Sequence, residues 1–214
     1  MSDVIKFYTN PMSRGRTIHW LLEEAGAKYE TELLDFNKKE HKTPAFLAIN
    51  PMGKLPAIVH KNTVVTETAA ICAYLADAFP AAKLVPASGD PARGTFYRWL
   101  FFGASCFETA FVDKLLARPA PERPGALAYG TLQDTVTTLQ AALKSGPFIC
   151  GDQFTAVDVY LTAAIGWGTK TKALDPNPIF EPYVARCTDR PAYRRSVELG
   201  KELNAKLKEN SVGR

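Results

Sequence analysis

The sequence predicts an α/β domain followed by an all-α one, and three observations carry that prediction. Short β-type runs alternate with helical periodicity over the first eighty residues. A stretch rich in Pro, Ala and Gly then breaks the pattern at residues 79–91. After it come long amphipathic helices with no strand signal of any strength. The chain has 214 residues, enough for two small domains. With 46% hydrophobic and 22% charged residues it has the composition of a soluble globular protein. The expected domains are residues 1–80, a linker at 81–91, and a helical domain at 92–214.

The elements follow in order. Residues 4–8 read as a strand, and Ile18, Leu21, Leu22 and Ala25 give the next segment helical periodicity. A second strand covers 29–34. A short helix begins near Thr43-Pro44, strands follow at 57–60 and 63–66, and Glu67-Thr68 opens a helix with Ile71, Tyr74, Leu75 and Ala78 on its apolar face. In the second half a long helix runs from 92 to about 117 and another from 126 to 144. Thr155 and Asp158 form a capping box ahead of Val159-Tyr160-Leu161. The last helices cover 180–187 and 192–207, and residues 210–214 should fray.

Other classes are excluded by what is missing. The first residues hold no apolar run of signal-peptide type, and no stretch of roughly twenty apolar residues predicts a membrane span. Cys72, Cys106, Cys150 and Cys187 lack metal or redox spacing and read as small apolar fillers in a reducing, cytoplasmic setting. The three histidines are scattered, so no metal site is expected. Residues 1–80 are neutral, with 9 basic and 9 acidic side chains; the net charge of +4 lies beyond them. That excess is too dispersed for a nucleic-acid footprint and mildly favours a small anionic ligand.

The informative stretch is Asn50-Pro51-Met52-Gly53-Lys54-Leu55-Pro56-Ala57-Ile58. Asn-Pro and Met-Gly mark a turn, and Pro56 stands where a strand begins. The peptide groups of Leu55 would then be free to pair with an extended peptide. By itself the pattern is equally that of a plain helix-to-strand turn.

The order βαβ–α–ββα, with proline before the third strand, resembles a thioredoxin-like domain. Lys39-Glu40-His41-Lys42, the run Phe46 to Ala57 and the pair Glu67-Thr68 are together similar to the glutathione-binding half of the cytosolic glutathione S-transferases, of bacterial and theta-like serine type. The resemblance implies a homodimeric enzyme joining reduced glutathione, its co-substrate, to small hydrophobic electrophiles in detoxification, with no permanent cofactor. It implies that Leu55 and a cis Pro56 pair with the cysteinyl unit, that His41, Lys42 and Lys54 serve the glycine carboxylate, and that Glu67 and Thr68 hold the γ-glutamyl end. Thr68 stands where the family has serine. Glutathione-dependent isomerisation, dehalogenation or peroxide reduction, or a non-catalytic carrier role, are alternatives on the same fold.

The activating donor has three candidates. Aligned without gaps on the serine enzymes, the role falls on Ser13 at the start of the first helix. The tyrosine enzymes pick Tyr8 with a gap, and Asn10 is the third. A hydroxyl and a helix N-terminus both favour a thiolate. Lowering a thiol from about 8.5 by two units requires roughly 2.7 kcal/mol, which such a pair can supply. Arg14 and Arg16 read as solvated first-turn charges. Met12, Phe102, Cys106, Phe107 and Trp167 are the candidates for the electrophile pocket.

Overall fold

The computed structural model describes residues 3–119 and 122–212, and the chain divides into two compact units. The first unit comprises the chain up to Leu84 together with the segment from Arg190 onward. Its sheet is formed by β1 (Ile5–Thr9), β2 (Tyr29–Leu33), β3 (Ala57–His60) and β4 (Thr63–Thr66), in the order β2-β1-β3-β4. β2 runs parallel to β1, whereas β3 and β4 are antiparallel to their neighbours. Helices α1 (Gly15–Ala25), α2 (Pro44–Leu47) and α3 (Thr68–Ala78) complete the expected order. α1 buries Ile18, Leu21 and Leu22 and ends at Gly26, whose left-handed φ of 61° suits a residue without a Cβ.

The last helix of the chain, α9 (Pro191–Val212), corrects the expected domain limits. It belongs to the first unit and packs along α1, so the helical domain expected at 92–214 does not include it. Trp20 meets Tyr193 edge to face at 4.9 Å, and Arg190 forks onto Glu24 at 2.7 and 2.8 Å. Periodicity identifies the buried stripe of a helix but not the surface that covers it, so this placement was not legible from α9 itself. α9 extends five residues past the expected end at 207; residues 213–214 lie outside the described chain.

The second unit spans Val85–Asp189. The long helix expected first is α4 (Ala92–Phe102) and α5 (Glu108–Leu115), joined without a break by a π-helical turn at Gly103–Phe107. α6 (Leu132–Leu143) starts six residues later than expected, because Gly130 turns the chain at φ 62° and Thr131 with Asp134 forms a capping box. α7 (Ala156–Lys170) and α8 (Phe180–Thr188) complete the unit. α7 is buried around much of its circumference, as expected of a central helix.

The expected box at the start of α7 is present, and its carboxylate reaches further. Asp158 Oδ2 accepts from the N–H and hydroxyl of Thr155 at 2.8 and 2.9 Å. Its Oδ1 accepts from Ile149 N–H at 2.9 Å and Tyr183 hydroxyl at 2.8 Å. Burial raises the Asp158 carboxyl above its ordinary value, against the pull of those hydrogen bonds. The residue therefore serves folding. Asp158→Ala should leave several buried donors unmatched and lower the unfolding free energy by about 3 kcal/mol or more, read from urea denaturation.

Candidate functional site

The strand registers gather the candidate residues of the first unit at one end of its sheet. Tyr8 pairs with Ala57, and Ala57 pairs with Thr66. The loop after β1 therefore lies beside Leu55-Pro56, with Glu67-Thr68 on the other side. β2 leaves the sheet at the same end, because it is parallel to β1.

The Leu55–Pro56 peptide bond is cis. Leu55 packs with Phe46, Ala57 and Tyr8 in a small cluster under α2. Among the described residues, nothing pairs with the N–H or C=O of Leu55. The turn before it is held by Asn50, whose Nδ2 donates to Lys54 O at 2.9 Å and whose Oδ1 accepts from Met52 N–H at 3.1 Å. Gly53 has φ 58°. A Cβ there would lie 2.6 Å from Lys42 Nζ and 2.8 Å from His41 O, so the His41-Lys42 segment crosses directly over it. Lys42 Nζ donates to Met52 O at 2.9 Å, and Lys54 is exposed. His41 sits edge-on to Phe36 at 4.8 Å; its Nδ1 is buried without a partner among the described residues.

Glu67 adopts φ 63°, ψ 120°, a conformation that side chains other than glycine rarely take. It precedes α3 without capping it through its side chain. The first amides of α3, beginning at Thr68, are thus left facing outward as helix-start donors. Backbone strain of this kind clusters at ligand-binding positions, and here it falls on an exposed charged residue beside such donors.

The three donor candidates differ in what they already bind. Asn10 is buried; its Nδ2 donates to Leu34 O at 2.7 Å and its Oδ1 accepts from Met12 N–H at 2.8 Å. Tyr8 packs its ring on Phe46 at 5.6 Å, and no described residue bonds its hydroxyl. Ser13 is half-buried, two residues before α1; its Oγ accepts from Gly15 N–H at 3.0 Å and donates to Asn10 O at 2.7 Å. Its oxygen thus occupies a first-turn amide of α1 from just outside the helix.

The matching family models are those of the glutathione S-transferase N-terminal domain, over residues 3–77, and C-terminal domain, over residues 112–175. GstA of Escherichia coli O157:H7 is 28% identical over 191 residues, covering 87% of this chain and 94% of that protein. The solved glutathione transferase of Methylococcus capsulatus is 30% identical with a TM-score of 0.78, covering 92% of this chain and 98% of that one. A sphingomonad glutathione S-transferase, solved in complex with glutathione, is also 30% identical, with a TM-score of 0.76 and the same coverage. The chain belongs to the glutathione S-transferase family.

For this family member, the pocket candidates divide. Met12 is 80% exposed, while Phe102, Cys106 and Trp167 are partly exposed. Phe102 lies 5.2 Å from Trp99, Trp167 lies 5.3 Å from Phe111, and Cys106 Sγ donates to Ala128 O at 3.2 Å. Phe107 is a correction. It is fully buried between Phe111 and Phe180 in the core of the second unit, on the helix face that also buries Phe96 and Leu100. The sequence reading also missed Gly15 and Thr9, whose part depends on a close approach that no local pattern announces.

Three of the chain's own thiols are poor nucleophiles. Burial pushes Cys150 up to about 11 and Cys187 up to about 12, and complete burial raises Cys72 further. Among the described residues no group of His, Cys, Asp or Glu is placed to hold a metal, and no helix is long and apolar enough to cross a membrane. Gly53→Ala should cost about 1–3 kcal/mol, seen as a lowered melting temperature, because it adds a left-handed strain and a clash with His41 O.

Proposed function

We propose that this chain conjugates reduced glutathione to small hydrophobic electrophiles by stabilising the glutathione thiolate. The observation that carries the reading is the main chain of Leu55, which no described residue pairs, set in the same sheet end as Ser13 and Glu67. An extended tripeptide can complete that rung through the amide and carbonyl of its cysteinyl residue. Its ends then meet opposite chemistries. Glu67 offers a carboxylate to the γ-glutamyl ammonium, and Thr68 with the first amides of α3 receives the adjacent carboxylate. Lys42, with one donor on Met52 O, and Lys54 offer ammonium groups to the glycine carboxylate. His41 joins them once its ring turns Nδ1 outward. The sphingomonad relative's complex with glutathione supports the same ligand here.

The sulfur then lies at the start of α1. Of the three donors, Ser13 fits best: its oxygen is already fixed by Gly15 N–H, whereas the side-chain amide of Asn10 is committed to main chain. A hydroxyl donating to the sulfur, at the positive end of a helix, stabilises the thiolate. The thiolate attacks the electrophile directly, the leaving group departs, and no covalent bond to the protein forms. Met12, exposed on the loop after β1, is the apolar side chain of the first unit proposed to meet the electrophile.

We also infer a cytoplasmic homodimer acting in detoxification. In the second unit, exposed Phe101, stacked on Tyr97, leaves apolar surface that a second copy would cover.

Ser13→Ala should lower kcat roughly 10- to 100-fold at pH 7 while glutathione binding survives. The sign follows from the thiol: without its donor it returns toward about 8.5, so the variant's turnover should climb as pH rises to that value. Tyr8→Phe should leave turnover near normal. An unchanged Ser13→Ala enzyme beside a crippled Tyr8→Phe enzyme would transfer the role to Tyr8.

A further inference from the structure

Behind Ser13 the loop carries a second tier of order. The Asn10 side chain ties the end of β2 to the loop, donating to Leu34 O and accepting from Met12 N–H. Only 2% of the residue is exposed. The Asn10 carbonyl, held by that arrangement, accepts twice from Ser13: from its N–H at 2.9 Å and from its hydroxyl at 2.7 Å. Gly15 N–H holds the same hydroxyl by its oxygen at 3.0 Å. That approach needs a glycine. A Cβ at Gly15 would overlap Thr9 Oγ1 and come within 2.9 Å of Ser13 Oγ.

We infer, building on the reading of Ser13 as the donor to sulfur, that Asn10 is a positioning residue whose buried side chain fixes the carbonyl on which Ser13 rests its hydroxyl hydrogen. Rotation about the Cβ–Oγ bond moves only the hydrogen. It leaves the Asn10 carbonyl for an arriving thiolate while the oxygen stays on Gly15 N–H. A neutral hydrogen bond is exchanged for a charge-assisted one, which is the stronger kind. The Gly15 N–H also polarises the hydroxyl and improves it as a donor. Asn10 thereby acts through Ser13 and not on the sulfur.

A double-mutant cycle tests this on the intact chain: wild type, Asn10→Ala, Ser13→Ala and the double variant, each with glutathione. The readouts are the apparent pKa of the bound thiol, from thiolate ultraviolet absorbance, and kcat and KM for glutathione with a chromogenic aryl halide. In the Ser13 background, Asn10→Ala should raise the thiol pKa by about one unit and lower kcat about tenfold, with KM changing less than about threefold. In the Ser13→Ala background the same change should alter pKa and kcat by no more than about twofold in equilibrium or rate. Equal losses in both backgrounds, with Ser13→Ala itself shifting the thiol, overturn the proposal alone. A Ser13→Ala variant with an unshifted thiol overturns the reading of Ser13 and this proposal with it. If Asn10→Ala does not fold by circular dichroism, Asn10→Ser takes its place under the same criterion, since it keeps a short oxygen for Met12 N–H but loses Leu34.

Discussion

Tyr8 is the last residue of β1 to find a partner on β3, and the ladder stops there. One step further, Pro56 has no N–H to give, and Leu55 carries a complete peptide edge that no described residue uses. This interrupted rung is the constraint on which the rest of the first unit depends. α2 and the Asn50 turn hold it in place, and Phe46, Ala57 and Tyr8 pack beneath it. The parallel β1–β2 pair and the antiparallel β3–β4 pair bring the Ser13 loop and Glu67 to the same end. Burying such an edge without a partner costs stability, and its place beside a strained Glu67 and an uncapped α3 supports the proposed peptide ligand.

The site also shows how little the protein contributes by way of unusual groups. The chain's buried thiols are held protonated by their surroundings, and the donors proposed for the site are two hydroxyls, a few amides, two ammonium groups and an imidazole. What distinguishes them is placement. Ser13 has its oxygen on Gly15 N–H and its hydrogen on the Asn10 carbonyl, so in the proposed mechanism only that hydrogen turns when charge develops on sulfur. The second unit supplies rigidity of another kind. Asp158, buried and fully engaged with Thr155, Ile149 and Tyr183, ties the start of α7 to α8 and to the preceding loop.

Much of this was legible in the sequence because the informative residues act locally. Pro56, the Asn50 turn, Thr43 before Pro44 and the Thr155–Asp158 box each determine the chain within a few residues of themselves. The features that escaped depend on distant partners. α9 shows helical periodicity, but its partners on α1, Trp20, Glu23 and Glu24 among them, determine where it lies. Phe107 falls on the helical stripe of Phe96, Leu100 and Phe111, and periodicity does not tell whether such a stripe meets a core or a pocket. The start of α6 was readable from Gly130 and the Thr131–Asp134 pair, but the apolar Leu127 extended the helical pattern past them. The need for glycine at position 15 follows from Thr9, whose side chain reaches it across the loop.

Amide hydrogen exchange at Leu55 tests the central claim most directly. With no described partner, its N–H should exchange readily in the free chain, and saturating glutathione should slow it by about tenfold or more as the cysteinyl carbonyl takes the proton donor. Protection should be greatest at Leu55 within the 50–58 segment. Saturable binding of glutathione that leaves Leu55 exchange unchanged would contradict the account, because the ligand would then lie somewhere other than the open rung.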